Sequence, residues 1–122
     1  MELSQIVNSS ETLKYAQSFS FTELPNELAA IKLEFETFSC FISVVEDTDE
    51  IELTENNKLG GLVKGDSSLL FHKCYGLKLC WAWSLVNNQG YSDGLRFEFE
   101  NNQKVELVVC ASAILQYGVS EL

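Results

Sequence analysis

With 122 residues the chain is near the usual size of one domain and long enough to bury roughly two thirds of its extended surface. A hydrophobic content of 46% with one proline and seven glycines excludes a disordered or low-complexity chain, because enough apolar area is present to offset the entropy lost on folding. Eight Lys and Arg against eighteen Asp and Glu give a formal charge of -10, which repels phosphate backbones and anionic headgroups. Nucleic acid and membrane surfaces are therefore not expected partners, and a basic protein is.

The start, Met1-Glu2-Leu3-Ser4-Gln5-Ile6, has neither a basic leader nor a long apolar run, so a cytoplasmic location is expected. Leu3, Ile6 and Val7 share a helical face, and Ser9 or Ser10 ahead of Glu11 to Ala16 predicts a second short helix. From Phe19 the period becomes two: Phe19 and Phe21 alternate with Ser18, Ser20 and Thr22 until Pro25-Asn26 breaks the run. Ile31, Leu33 and Phe35 against Lys32, Glu34 and Glu36 predict a strand with one wet face, and Phe38 to Val45 a central strand.

The acidic segment follows. Glu46, Asp47, Asp49, Glu50, Glu52 and Glu55 place six carboxylates within ten residues, with Ile51 and Leu53 alternating between them. Residues 56–61 form a loop by composition, and Asp66-Ser67-Ser68 predicts a cap for a short helix from Leu69 to Tyr75 ended by Gly76. Leu79, Trp81, Trp83 and Leu85 then alternate with Cys80, Ala82 and Ser84; Leu95, Phe97 and Phe99 with Arg96 and Glu98; and Val105, Leu107 and Val109 with Glu106 and Val108. Two polar connections, Asn87 to Gly90 and Asn101 to Lys104, join these into a meander. The expected fold is α+β, one domain over residues 1–122, with an antiparallel sheet of about six strands and one or two short helices.

Few residues suggest chemistry. His72 is the only histidine and lies two residues from Cys74, a spacing that puts the two on different faces of a helix. Cys40, Cys74, Cys80 and Cys110 show no zinc-ribbon spacing, so reduced, mostly buried thiols are expected, with no metal and no cofactor. Trp81 and Trp83 face one side of their strand, which is either the core, the reading this pattern favours, or an exposed anchor patch. The glycines and Asn and Asp side chains of Asn87 to Gly94 suit a tight structural loop. The acidic segment has two readings: a solvated face that guards a sheet edge, or a carboxylate surface offered to a cationic groove. Its six carboxylates are the candidate partner-binding residues.

The stretch Trp83-Ser84-Leu85-Val86-Asn87-Asn88-Gln89-Gly90-Tyr91-Ser92-Asp93-Gly94-Leu95-Arg96-Phe97-Glu98-Phe99, with the β-rich end Val105 to Ile114, resembles small uncharacterised acidic bacterial proteins, some of which serve as immunity proteins to secreted toxins. That resemblance implies an antitoxin that binds and blocks a basic cognate partner such as a nuclease toxin. A non-enzymatic immunity or inhibitor protein is thus the first expectation. The alternative is a small-molecule or metal-binding enzyme-like domain built on the Asn87 to Gly94 loop with His72.

Overall fold

The computed structural model describes residues 2–56 and 59–119. Helix α1 (Leu3–Asn8) opens the chain, and the Gln5 side-chain oxygen Oε1 accepts the Glu2 N–H at 2.7 Å. It stops where Ser10 turns to a φ of 57°. Among the described residues nine strands follow: β1 (Leu13–Phe21), β2 (Ala30–Phe35), β3 (Ser39–Val45), β4 (Glu50–Thr54), β5 (Leu62–Lys64), β6 (Leu79–Val86), β7 (Ser92–Phe99), β8 (Lys104–Cys110) and β9 (Ala113–Gly118). The first five form one sheet in the order β4-β3-β2-β1-β5, and the last four a meander in the order β6-β7-β8-β9. Every pairing within the two sheets is antiparallel. No helix among the described residues is long and apolar enough to cross a membrane.

The architecture is thus antiparallel sheet with one short α-helix among the described residues, rather than an α+β fold with about six strands. The second predicted helix, Glu11 to Ala16, lies largely within β1. A bulge between Leu13 and Tyr15 buries Leu13 and Ala16 on one side, and this spacing of three imitates a helical face. The predicted helix from Leu69 to Tyr75 is a single 3₁₀ turn over Leu70–Cys74, with Gly76 just beyond it at a φ of 80°. Strand β9 follows a two-residue turn of Ala111 and Ser112, both at positive φ. Of the predicted loop at 56–61, Asn57 and Lys58 lie outside the described residues.

Period-two alternation explains how the sheets meet. Ile31, Leu33 and Phe35 of β2, Cys40 and Ile42 of β3 and Ile51 of β4 point inward from the first sheet. Leu79, Leu95, Phe97, Phe99, Val105, Leu107 and Val109 do so from the second, and Ile6 of α1 joins them. Phe71, fully buried on the 3₁₀ turn, sets its ring edge-on to Phe97 at 5.6 Å and to Phe99 at 6.2 Å. The backbone is also stitched together at the start of β1, where the Leu13 N–H donates to the Leu77 carbonyl at 3.0 Å and Gly76 N–H to the Leu13 carbonyl at 2.8 Å.

The first sheet carries a smaller apolar cluster on its outer face. Phe19, Ala30, Phe41 and Leu62 pack there beneath Leu59, which comes from the connection running from edge strand β4 to the opposite edge, β5. The Phe and Ser alternation of β1 therefore has the serines inside: Ser18 and Ser20 are buried, while Phe19 faces outward into this cover and Phe21 is paired with Leu62 at its margin.

Candidate functional site

The acidic segment is divided by the β3–β4 hairpin. The Val45 carbonyl accepts the Thr48 N–H at 3.3 Å and the Asp49 N–H at 3.0 Å, the Thr48 hydroxyl accepts the Glu50 N–H, and Asp49 closes the loop at a φ of 54°. Aspartate is among the side chains that tolerate this left-handed conformation best. With the turn fixed in this way, Glu46 and Asp47 stand in solvent at its tip.

Asp49 and Glu50 tie the two sheets together. The Asp49 carboxylate accepts the Ser112 hydroxyl at 3.2 Å, and the Glu50 carboxylate accepts the Ser92 N–H at 3.0 Å. Both bonds cross from the first sheet to the second, one to the β8–β9 turn and one to the start of β7. Nothing in the local sequence marks Ser92 or Ser112 as partners, since each lies more than forty residues from its acceptor. Glu11 and Glu36 serve a similar local purpose: Thr12 donates its N–H and hydroxyl to Glu36, and Thr37 donates both of its own to Glu11. The Thr12 N–H, with the hydroxyl beside it, holds the Glu36 carboxyl below its ordinary range.

Glu46, Asp47 and Glu52 come together instead around a cleft of about 620 Å³ on the outer face of the first sheet. Phe21, Val45 and Leu62 supply apolar walls, and Ser43 lies between them. Register explains the grouping, because Glu52 is paired with Ser43 across β3–β4 while Phe21 is paired with Leu62 across β1–β5. A cleft with carboxylates at its rim and apolar walls suits a side chain with an aliphatic stem and a cationic head, the build of Lys and Arg. Glu55 is exposed beyond the end of β4 and does not line the cleft. Sequence reasoning missed the walls, although the outward period of Phe19 and Phe21 was their visible sign.

The tryptophans lie on the opposite side from the one their pattern implies. A bulge between Leu79 and Trp81 shifts the parity of β6, so Leu79 and Ala82 meet the core while Trp81 and Trp83 turn outward, 63% and 40% exposed. Arg96 sits over the Trp83 ring, 5.3 Å from its centroid. Trp81→Ala should therefore change folding stability by no more than about 0.5 kcal/mol, the usual surface range, in urea titrations at low protein concentration. A loss of about 3 kcal/mol, typical of a core aromatic, would contradict this placement.

The remaining candidates have local roles. The Asn87 side chain ties its loop together: its Oδ1 accepts the N–H groups of Gln89 and Tyr91, and its Nδ2 donates to Asp93 at 3.2 Å. His72 is exposed and rests edge-on against Tyr75, whose hydroxyl accepts the Ala16 N–H at 3.0 Å. Cys74, two residues away, faces the core, so the pair occupy different environments. All four thiols are free, but only Cys40 and Cys74 are buried; Cys80 and Cys110 are exposed, which corrects the expectation of mostly buried thiols.

Fold and cleft together define a small protein of two antiparallel sheets with carboxylates gathered at an outer cleft. Over residues 3–121 the chain matches the model of a family of unknown function, DUF6334, and it belongs to that family. No curated protein and no solved structure matches it.

Proposed function

We propose that this chain is a binding protein of the immunity or inhibitor kind, acting in the cytoplasm, that occupies a cationic groove of a basic partner with the cleft formed by Glu46, Asp47 and Glu52. The observation that carries this reading is the convergence of those three carboxylates on apolar walls in a chain of net charge -10. A merely solvated acidic face needs no such cleft. Asp49 and Glu50 serve by fixing the turn and the sheet contact behind it. Glu55 adds to the long-range field. A nuclease toxin is the partner implied by the resemblance to immunity proteins, since a cleft built to hold nucleic acid is basic and an acidic surface fits it by charge.

The test is association kinetics with the product of the adjacent reading frame, measured at low and high salt. Changing Glu46→Gln, Asp47→Asn and Glu52→Gln together should slow association about ten-fold or more at low salt and flatten its salt dependence, because the steering charge is removed. An association rate equal to wild type at both salts would overturn the reading.

A further inference from the structure

We propose that the outer face of the second sheet is a self-association surface, on which a second copy of this chain docks about a two-fold axis running along the strands between β7 and β8. The face is open and rich in apolar groups. Besides Trp81 and Trp83, it shows Leu115 at 41% and Tyr117 at 48% exposure, with Leu85 and Val108 between them. Nothing on it resembles the acidic cleft. Arg96 and Glu106 stand side by side there, and Glu98 stands beside Lys104, which is itself buried, so in a chain of charge -10 this region is locally balanced. Two copies can therefore approach here without the repulsion that opposes them elsewhere.

Register makes the face complementary to itself. Three rows cross the strands: Leu85-Gly94-Val108-Leu115, Trp83-Arg96-Glu106-Tyr117, and Trp81-Glu98-Lys104. Rotation about an axis along the strands keeps each row at its own height and lays β7 over β8 and β6 over β9 of the second copy. Arg96 then faces Glu106, Trp83 faces Tyr117 and Leu85 faces Leu115, each contact occurring twice as an isologous interface requires. An axis across the strands through the Arg96 row instead puts Arg96 over Arg96. Four strands about 4.8 Å apart and about 20 Å long cover roughly 400 Å² in projection on each copy, below the about 800 Å² per partner of a standard interface, so a weak, reversible dimer is expected.

Sedimentation equilibrium from micromolar to millimolar protein tests this, with circular dichroism confirming that each variant is folded. Wild type should show a monomer–dimer equilibrium. Arg96→Glu alone and Glu106→Arg alone should each weaken it about ten-fold or more, while an equimolar mixture of the two, or both changes on one chain, should restore it, because opposite charges face each other again. Tyr117→Ser, at an exposed position on an edge strand, should also weaken it and provides a probe that leaves the charges in place. A chain that stays monomeric throughout overturns the proposal. So does a dimer indifferent to the single charge reversals, or one that the mixture fails to restore.

Discussion

Phe97→Ala is expected to destabilise the fold by about 3 to 5 kcal/mol, the range for a large aromatic removed from a packed core. Phe97 is fully buried in the middle strands of the second sheet, and its ring meets Phe71 edge-on, with 68° between the planes. Phe71 arrives on the 3₁₀ turn that connects the two sheets in sequence, so the loss should loosen that turn as well as empty a cavity. Against a total stability of about 5 to 15 kcal/mol the variant would sit near its unfolding limit, and Phe97→Leu, which keeps most of the volume, provides the measurable intermediate. The double variant with Phe71→Ala should cost less than the two single losses combined, since the same ring contact cannot be lost twice. Urea titration decides it. A loss below about 1 kcal/mol would mean that the core forms around other residues.

This core was largely legible in the sequence, because Ile31, Leu33 and Phe35, then Leu95, Phe97 and Phe99, then Val105, Leu107 and Val109 alternate without interruption. Failures occurred where one extra residue broke the alternation. The bulge after Leu13 made a strand look helical, and the bulge after Leu79 sent two tryptophans to the wrong face. A bulge is set by pairing with a partner strand, here β2 and β7, and leaves no local mark in composition. The hairpin into β9 was hidden for another reason. Its turn places Ala111 and Ser112 at positive φ, where Asn-Gly is the usual signal. By contrast, the Asn101-Asn102 turn, also at positive φ, was readable because Asn tolerates that geometry.

The candidate site was legible to a lesser degree. Clustering identified the acidic segment, but not that Asp49 and Glu50 are engaged by serines of the second sheet while Glu46, Asp47 and Glu52 converge on the cleft. That division depends on which strands lie side by side. It narrows a charged stretch of six residues to three that line the cleft.

Alkaline pH should remove stability through a group that the acidic site does not involve. Cys40 is fully buried in β3, and burial pushes its thiol from an ordinary value near 9 up to about 12. Cys74 is moved the same way, to about 11. A thiol whose folded value is raised binds its proton more tightly in the folded state. The resulting stability is fully present below pH 9 and is lost as pH climbs from 9 toward 12, where the unfolded chain ionises first. For Cys40 this linkage is worth up to about 4 kcal/mol. Cys40→Ala should therefore start about 1 kcal/mol or more less stable at neutral pH, from the small void it leaves, yet lose stability less steeply above pH 9. Thiol labelling offers an independent reading: exposed Cys80 and Cys110 should react promptly, and Cys40 and Cys74 only as fast as the fold opens. Parallel alkaline limbs in wild type and Cys40→Ala, or prompt labelling of all four thiols, would show that Cys40 is not held in the apolar interior.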